Sequence, residues 1–245
     1  LPELTFPYLI PGQEVLLDDG KIHLKIVEKA ENVTENGGEN TQEKRYFAKV
    51  LWGGLLKSRK SAALPGAKIY PPTLTNSDLA NIKIAKEMGV TGVMQPFVRD
   101  HSDLERVKEA LREAGAEDIR LFAKIENMDG VRKLEKLLPA ADEIVIARGD
   151  LGNAVHLWDL PGVQRQIAEK CRAAGKPFMV VTQMLASMER SPVPTRAEVN
   201  DIFHAVMDGA ASIMVTGETA VGDYPVEVIR YMVNTVRSAE KEENR

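Results

Sequence analysis

Lys124 and Glu126 stand two residues apart in AKIENMDG (Ala123–Gly130), and Arg148 and Asp150 stand two apart in VIARGDLGNA (Val145–Ala154). Each pair closes an apolar, strand-like stretch. If the two strands are neighbours, Glu126 and Asp150 meet. Two carboxylates that leave coordination positions open suit Mg²⁺ (or Mn²⁺), a hard cation that keeps waters and takes substrate oxygens. Alternate residues of a strand share a face, so Lys124 lies on the side of Glu126. An ammonium beside such a metal stabilises phosphate or enolate charge. A plain salt bridge at a strand end is the competing reading of Lys124 and Glu126, and Asp150 on the next strand weighs against it. Gly149 sits where its strand gives way to a helical turn, so a backbone N–H free of any Cβ is expected there for an anionic group. Thr182 ends the apolar run PFMVVTQ with a hydroxyl that suits either a substrate oxygen or a local backbone group.

These residues need a scaffold, and the chain from about Leu64 onwards supplies an alternating one. TNSDLANIKIAKEMG opens with cap-type residues, repeats apolar positions at three and four, and stops at glycine, which predicts a helix. Strand-like VTGVMQPFV (Val90–Val98) follows. Then come helix, strand (DIRLFAKI), helix (MDGVRKLEKLLP), strand (DEIVIA), helix, strand (PFMVVTQ), helix, strand (ASIMVTG) and a long final helix. Strict β–α alternation predicts a parallel sheet flanked by helices, and near-continuous apolar strands are those covered on both faces. Polar residues close all five strands: Arg99; Lys124 and Glu126; Arg148 and Asp150; Thr182 and Gln183; Thr216 and Glu218. An open doubly wound sheet gathers such residues mainly at one switch point, whereas a TIM barrel carries them around its C-terminal face. The pattern favours the barrel. Thr195 and Glu198 predict a capping box at the start of one helix.

Residues 1–68 follow a different grammar. EVLLDDGKIHLKIVEKA (Glu14–Ala30) reads as two strands around an Asp19-Gly20 turn, with Ile22, Leu24 and Ile26 on one face. RYFAKVLWGGLL (Arg45–Leu56) is a further β stretch. The polar, aperiodic segment between them reads as an exposed loop, and its Asn32-Val33-Thr34 sequon as a chance match. A small β module over 1–68 and an α/β domain over 69–245 are therefore expected.

The chain has 245 residues, a formal net charge of −4, 44% hydrophobic and 28% charged residues, which suits a globular protein with a sizeable core rather than a nucleic-acid binder. No apolar run is long enough for a membrane helix, and Leu1-Pro2-Glu3 has no signal-peptide character. The single cysteine, Cys171, excludes an intrachain disulfide and fits a reducing compartment; no base flanks it that would make it a nucleophile. The four histidines lack metal-ligand spacing and read as surface or structural. Met184 and Met188 read as core. No Walker loop or dinucleotide-binding glycine fingerprint is present.

Taken together, AKIENMDGV, EIVIARGDLG, KPFMVVTQMLASM, SPVPTRAEVNDIFHAVMDGA and IMVTGETAVGDYPVEVIRYM resemble the pyruvate kinase family, in that family's order and approximate spacing. GQEVLLDDGKIHLKI and GGLLKSRKSAALPG resemble its β-rich lid, inserted after the third barrel strand. The resemblance implies a TIM (β/α)8-type barrel, incomplete here, of which the five strands are the fourth to eighth. It implies transfer of phosphate from phosphoenolpyruvate to ADP, giving pyruvate and ATP in glycolysis, by a cytoplasmic homo-oligomer. It further implies Lys124 as the catalytic, phosphoryl-stabilising lysine; Glu126 and Asp150 as ligands of Mg²⁺ or Mn²⁺; and Gly149, Asp150 and Thr182 as substrate-binding residues. Lys60, in SRKSAALPG, is implied as a lid lysine that approaches the nucleotide. K⁺ ligands and a phosphate-binding arginine are expected on the three absent strands. Gln95-Pro96 stands where the family usually has Ala-Ser or similar, and Thr216 where Ser is usual. Two other readings share part of the pattern: a metal-dependent, pyruvate-forming lyase or aldolase, and a non-catalytic fragment or interaction module. The first lacks TQMLASM followed by PTRAE and needs no lid.

Overall fold

The computed structural model describes residues 1–18, 20–30, 45–58 and 60–243. The expected turn at Asp19 and the polar loop with its sequon lie outside them. The chain divides into two compact units, Leu1–Pro72 and Thr73–Arg245. The division falls four residues beyond the expected 68/69. Ala67 and Ile69 still pack on the first unit's core, and the Lys68 carbonyl accepts a hydrogen bond from the Tyr8 hydroxyl at 2.9 Å.

The first unit is an antiparallel sheet of β1 (Glu14–Leu17), β2 (Ile22–Lys29), β3 (Tyr46–Trp52) and β4 (Ala62–Ala63), in the order β3-β2-β1-β4. Its small core gathers Leu9, Val15, Ile26 and Leu64. Ile22 and Ile26 are buried and Leu24 half-buried, as period two demands; His23 is buried too, edge-on to the Trp52 ring. At the unit's rim the Lys60 ammonium lies 2.8 Å from Asp18 Oδ1, and this hydrogen bond holds the Asp18 carboxyl below the usual carboxylate range.

The second unit runs α1 (Asn76–Ala85), β5 (Gly92–Gln95), α2 (His101–Glu113), β6 (Arg120–Ile125), α3 (Met128–Arg132), α4 (Leu134–Leu137), β7 (Glu143–Ala147), α5 (Arg148–Ala154), α6 (Leu160–Ala173), β8 (Phe178–Val181), α7 (Arg196–Met207), β9 (Ser212–Met214), α8 (Gly217–Ala220) and α9 (Pro225–Glu243). The five strands form one parallel sheet in sequence order, β5-β6-β7-β8-β9. Leu121, Ala123 and Ile125 of β6, with Ile144, Ile146, Phe178 and Val180, join the helices in one large core. On the opposite face Val145, Ala147, Met179 and Val181 form a second cluster with Phe122 and Met214. Both faces of the central strands are thus apolar, which is why they read as continuous runs. Met184, Met188 and Cys171 are buried in the large core, and burial pushes the Cys171 thiol up to about 12.

Two elements differ from expectation. The helix over MDGVRKLEKLLP breaks at Lys133 into α3 and α4. The strand expected over Val90–Val98 stops at Gln95, because Pro96 has no N–H for the ladder and Phe97 turns into the left-handed region (φ 51°). Val98 then rejoins the sheet edge through its N–H to the Lys124 carbonyl at 3.3 Å.

Candidate functional site

β6, β7 and β8 are consecutive neighbours, so the residues that follow them are brought to one end of the sheet. Lys124 lies on the same face of β6 as Phe122, and Glu126 follows directly after the strand's end. The Lys124 Nζ lies 2.7 Å from Glu126 Oε1. Glu126 is almost wholly buried, 3% exposed, and its Oε2 accepts the Phe97 N–H at 2.7 Å. The left-handed turn that ends β5 therefore serves Glu126: it swings an amide onto the carboxylate. Behind Glu126 the chain is fixed by Asn127, whose Oδ1 caps Gly130 N–H at 2.9 Å and whose Nδ2 donates to the Val98 carbonyl at 3.1 Å. Gly130 permits this approach; a Cβ there would come within 2.6 Å of the Val98 oxygen.

After β7 the chain enters α5 at once, which puts Gly149 and Asp150 in a first helical turn. The Gly149 N–H, expected to be open to an anion, instead donates to Thr182 Oγ1 at 2.8 Å. Nor does crowding demand glycine: a Cβ would meet Thr182 at an ordinary 3.7 Å. The Thr182 hydroxyl completes the link by donating to the Val181 carbonyl. Thr182 and Gln183 both have positive φ, 78° and 54°. For a β-branched residue that is a strained conformation, and the surroundings must enforce it.

Several of the polar residues at strand ends prove to be braces. Arg99 makes a forked pair with Asp103 (Nη2–Oδ1 2.6 Å, Nε–Oδ2 3.0 Å), and Thr73 Oγ1 donates to Asp103 at 2.6 Å. Burial raises the Asp103 carboxyl, but these donors outweigh it and bring it to about 2. Arg148 reaches Asp201 on α7 with Nη1 at 2.8 and 2.7 Å from the two oxygens. Glu218, 2% exposed, accepts N–H groups from Thr216 (2.8 Å) and Leu185 (3.2 Å), tying the ends of β8 and β9 together. Gln95 turns inward and donates to the Thr73 and Pro96 carbonyls. The Thr195–Glu198 capping box forms as expected, and Glu198 also accepts from Ser187 N and Oγ.

The Asn127 cap, the Phe97 amide and the Arg148–Asp201 pair were all missed by sequence reasoning. Asn before a helix is a cap signal that was available. Nothing local marks the other two, which join residues 29 and 53 positions apart. Lys60 belongs to the first unit, with Asp18 as its partner.

The donors near β6 and β7 are hard oxygens. Among the described residues no cluster of three or more His, Cys, Asp or Glu side chains could hold a metal alone. Glu126, just past the end of β6, and Asp150, in α5 after the neighbouring β7, are hard oxygen donors of the kind that Mg²⁺ takes alongside water and substrate. The buried, ion-paired carboxylate and the strained threonine thus stand at one end of a parallel α/β sheet, the end at which such sheets carry their sites.

Comparison with known proteins makes that layout specific. Residues 5–229 match the family model "Pyruvate kinase, barrel domain", and the chain belongs to the pyruvate kinase family. It is 38% identical over 230 residues to a pyruvate kinase of Bacillus licheniformis and 40% identical over 233 residues to that of Geobacillus stearothermophilus; each match covers 94% of this chain and 38% of the relative. A pyruvate kinase of Clostridium acetobutylicum is 35% identical over 234 residues, covering 96% of this chain and 47% of the relative. The chain thus spans less than half the length of the curated relatives it matches.

Proposed function

We propose that this chain carries part of a phosphoryl-transfer site that interconverts phosphoenolpyruvate and ADP with pyruvate and ATP. The observation that carries the reading is the Lys124–Glu126 pair at the end of β6, one strand from Asp150 and Gly149 and two from Thr182. In the forward direction the enol oxygen–phosphorus bond breaks, a bond from phosphorus to the ADP β-phosphate oxygen forms, and the enolate takes up a proton to become pyruvate. The chemistry demands positioning and charge neutralisation more than covalent help. Lys124, held by Glu126, presents a cation to the phosphate oxygens as charge shifts. Glu126 and Asp150 would hold Mg²⁺ or Mn²⁺, which supplies further neutralisation when bound. Thr182 and the Gly149 amide, paired with each other here, would exchange that bond for the substrate carboxylate. Lys60 comes into the reading as a nucleotide contact by resemblance alone. A dependence on K⁺, a cytoplasmic location and a homo-oligomer follow from the family in the same way; no helix among the described residues is long and apolar enough to cross a membrane.

The direct test mixes the chain with phosphoenolpyruvate, ADP, Mg²⁺ and K⁺ and follows pyruvate, with Lys124→Met as control. Pyruvate formed from phosphoenolpyruvate only when ADP is present supports the reading. Pyruvate released by carbon–carbon cleavage of a different substrate, with none from phosphoenolpyruvate, would assign the site to a lyase.

A further inference from the structure

We infer that Arg148, anchored by Asp201, is a positioning residue that holds Thr182 in its strained conformation and so sets the Gly149–Thr182 contact; this rests on the proposed role of Thr182 in substrate binding. Its guanidinium bridges two elements. Nη1 is gripped by both Asp201 oxygens on α7, and Nη2 donates to the Thr182 carbonyl at 2.7 Å and meets Met184 Sδ at 2.8 Å. Arg148 is 12% exposed at its side chain, so these bonds face little competition from water. The next residue, Gly149, takes the hydroxyl of the same threonine. Two consecutive residues thus hold Thr182 at its carbonyl and its hydroxyl.

The strain explains why such a grip is needed. Left-handed φ at Thr182 and Gln183 is disfavoured at both positions and persists only where the surroundings over-determine it. The Arg148 fork is directed at the carbonyl of the peptide unit that joins the two left-handed residues, Thr182 and Gln183. α7 gives the fork a firm base, because Thr195 and Glu198 close its first turn and Glu198 is tied to Ser187 in the segment after Gln183. A planar fork satisfies a carboxylate and a carbonyl together, which a lysine ammonium does with poorer geometry.

The test compares Arg148→Met, Arg148→Lys, Asp201→Asn and Thr182→Val, in the 245-residue chain kept below its self-association for the NMR readouts and in the chain joined to three βα units of a relative for turnover. Amide hydrogen exchange and backbone chemical shifts are read by NMR, and turnover of phosphoenolpyruvate is read beside them. Arg148→Met is expected to lose protection of the Gly149 amide and to shift the backbone signals of Thr182 and Gln183, while the β7 and β8 amides stay protected. Arg148→Lys should restore little of this, and Asp201→Asn should show the same change more weakly. Turnover should fall roughly 10- to 100-fold in Arg148→Met, as expected for a misplaced binding group, and adding Thr182→Val should lower it no further. Unmoved Gly149, Thr182 and Gln183 signals in Arg148→Met would overturn the inference. So would a loss of protection spread over β7 and β8, which would make Arg148 a general brace. If those signals move but Thr182→Val leaves turnover intact, the positioning stands and the role proposed for Thr182 falls.

Discussion

Lys124 and Glu126 hold each other at 2.7 Å, yet the two side chains are asked to do different things. Under the proposed function, and in the chain joined to the barrel strands that the family resemblance places ahead of it, Lys124→Met is expected to lower turnover roughly 100- to 1,000-fold while leaving KM for phosphoenolpyruvate within about tenfold, because the cation would be aimed at charge that develops during transfer. Steady-state kinetics decide it; near-normal turnover would remove Lys124 from the chemistry. Glu126→Gln and Asp150→Asn should instead weaken Mn²⁺ binding in calorimetry, since a neutral amide is a poorer partner for a hard cation. Asp103 offers a test of structure without activity. Its carboxyl lies at about 2 in the folded chain against an ordinary 3.8. A depressed folded value means that the stabilisation is fully present above the ordinary value and is lost as pH falls through about 2. Asp103→Asn should therefore cost about 2 kcal/mol in urea unfolding at neutral pH. That difference should shrink steadily below pH 3.8, and a pH-independent difference would count against the ion pair as its source.

At the scale of elements, the alternation of β and α segments was legible because the central strands of the parallel sheet are apolar on both faces while the helices between them bury one face against the core. A local spacing predicted the capping box of α7, where Thr195 Oγ1 takes the Glu198 N–H and Glu198 reaches back. Thr195→Ala should cost about 1 kcal/mol. Glu198→Ala should cost more, because it also strips the acceptor from Ser187; denaturant melts of the two variants order them, and equal costs would show that the Ser187 link is idle. What the sequence left hidden has a common physical cause. β5 ends early because of Pro96, a visible signal, but the use made of that turn, an amide delivered to Glu126, depends on a strand 29 residues away. Arg148 looked like chemistry because a charged residue at a strand end usually is. Its partner Asp201 lies on a helix 53 residues on, and only the packing of α7 beside the sheet reveals the pair. Gly149 was read as an open amide since one residue type carries no record of which hydroxyl will find it.

For the whole molecule the parallel sheet poses the largest question. Among the described residues β5 pairs only with β6, and β9 only with β8. Unpaired parallel edges with apolar side chains invite other strands. Met94 on β5 sits opposite Phe122 in register and is 38% exposed, and Phe97 just beyond it is 50% exposed. The same face carries Val145, Ala147, Met179, Val181 and Met214 across to the other edge. A charge at an edge is the usual protection against strand addition, and neither Met94 nor Met214 supplies one. The 245-residue chain is therefore expected to self-associate, with a mass by light scattering that climbs with concentration. Met94→Lys should shift that curve towards the monomer, because a lysine at the edge makes strand addition costly while leaving the β5–β6 ladder intact. The family resemblance suggests a second route to the same end: three βα units of a relative joined ahead of Leu1 should pair both edges, suppress association and raise turnover. A monomer whose mass stays constant with concentration, and which Met94→Lys leaves unchanged, would mean that the edges are protected by the chain itself.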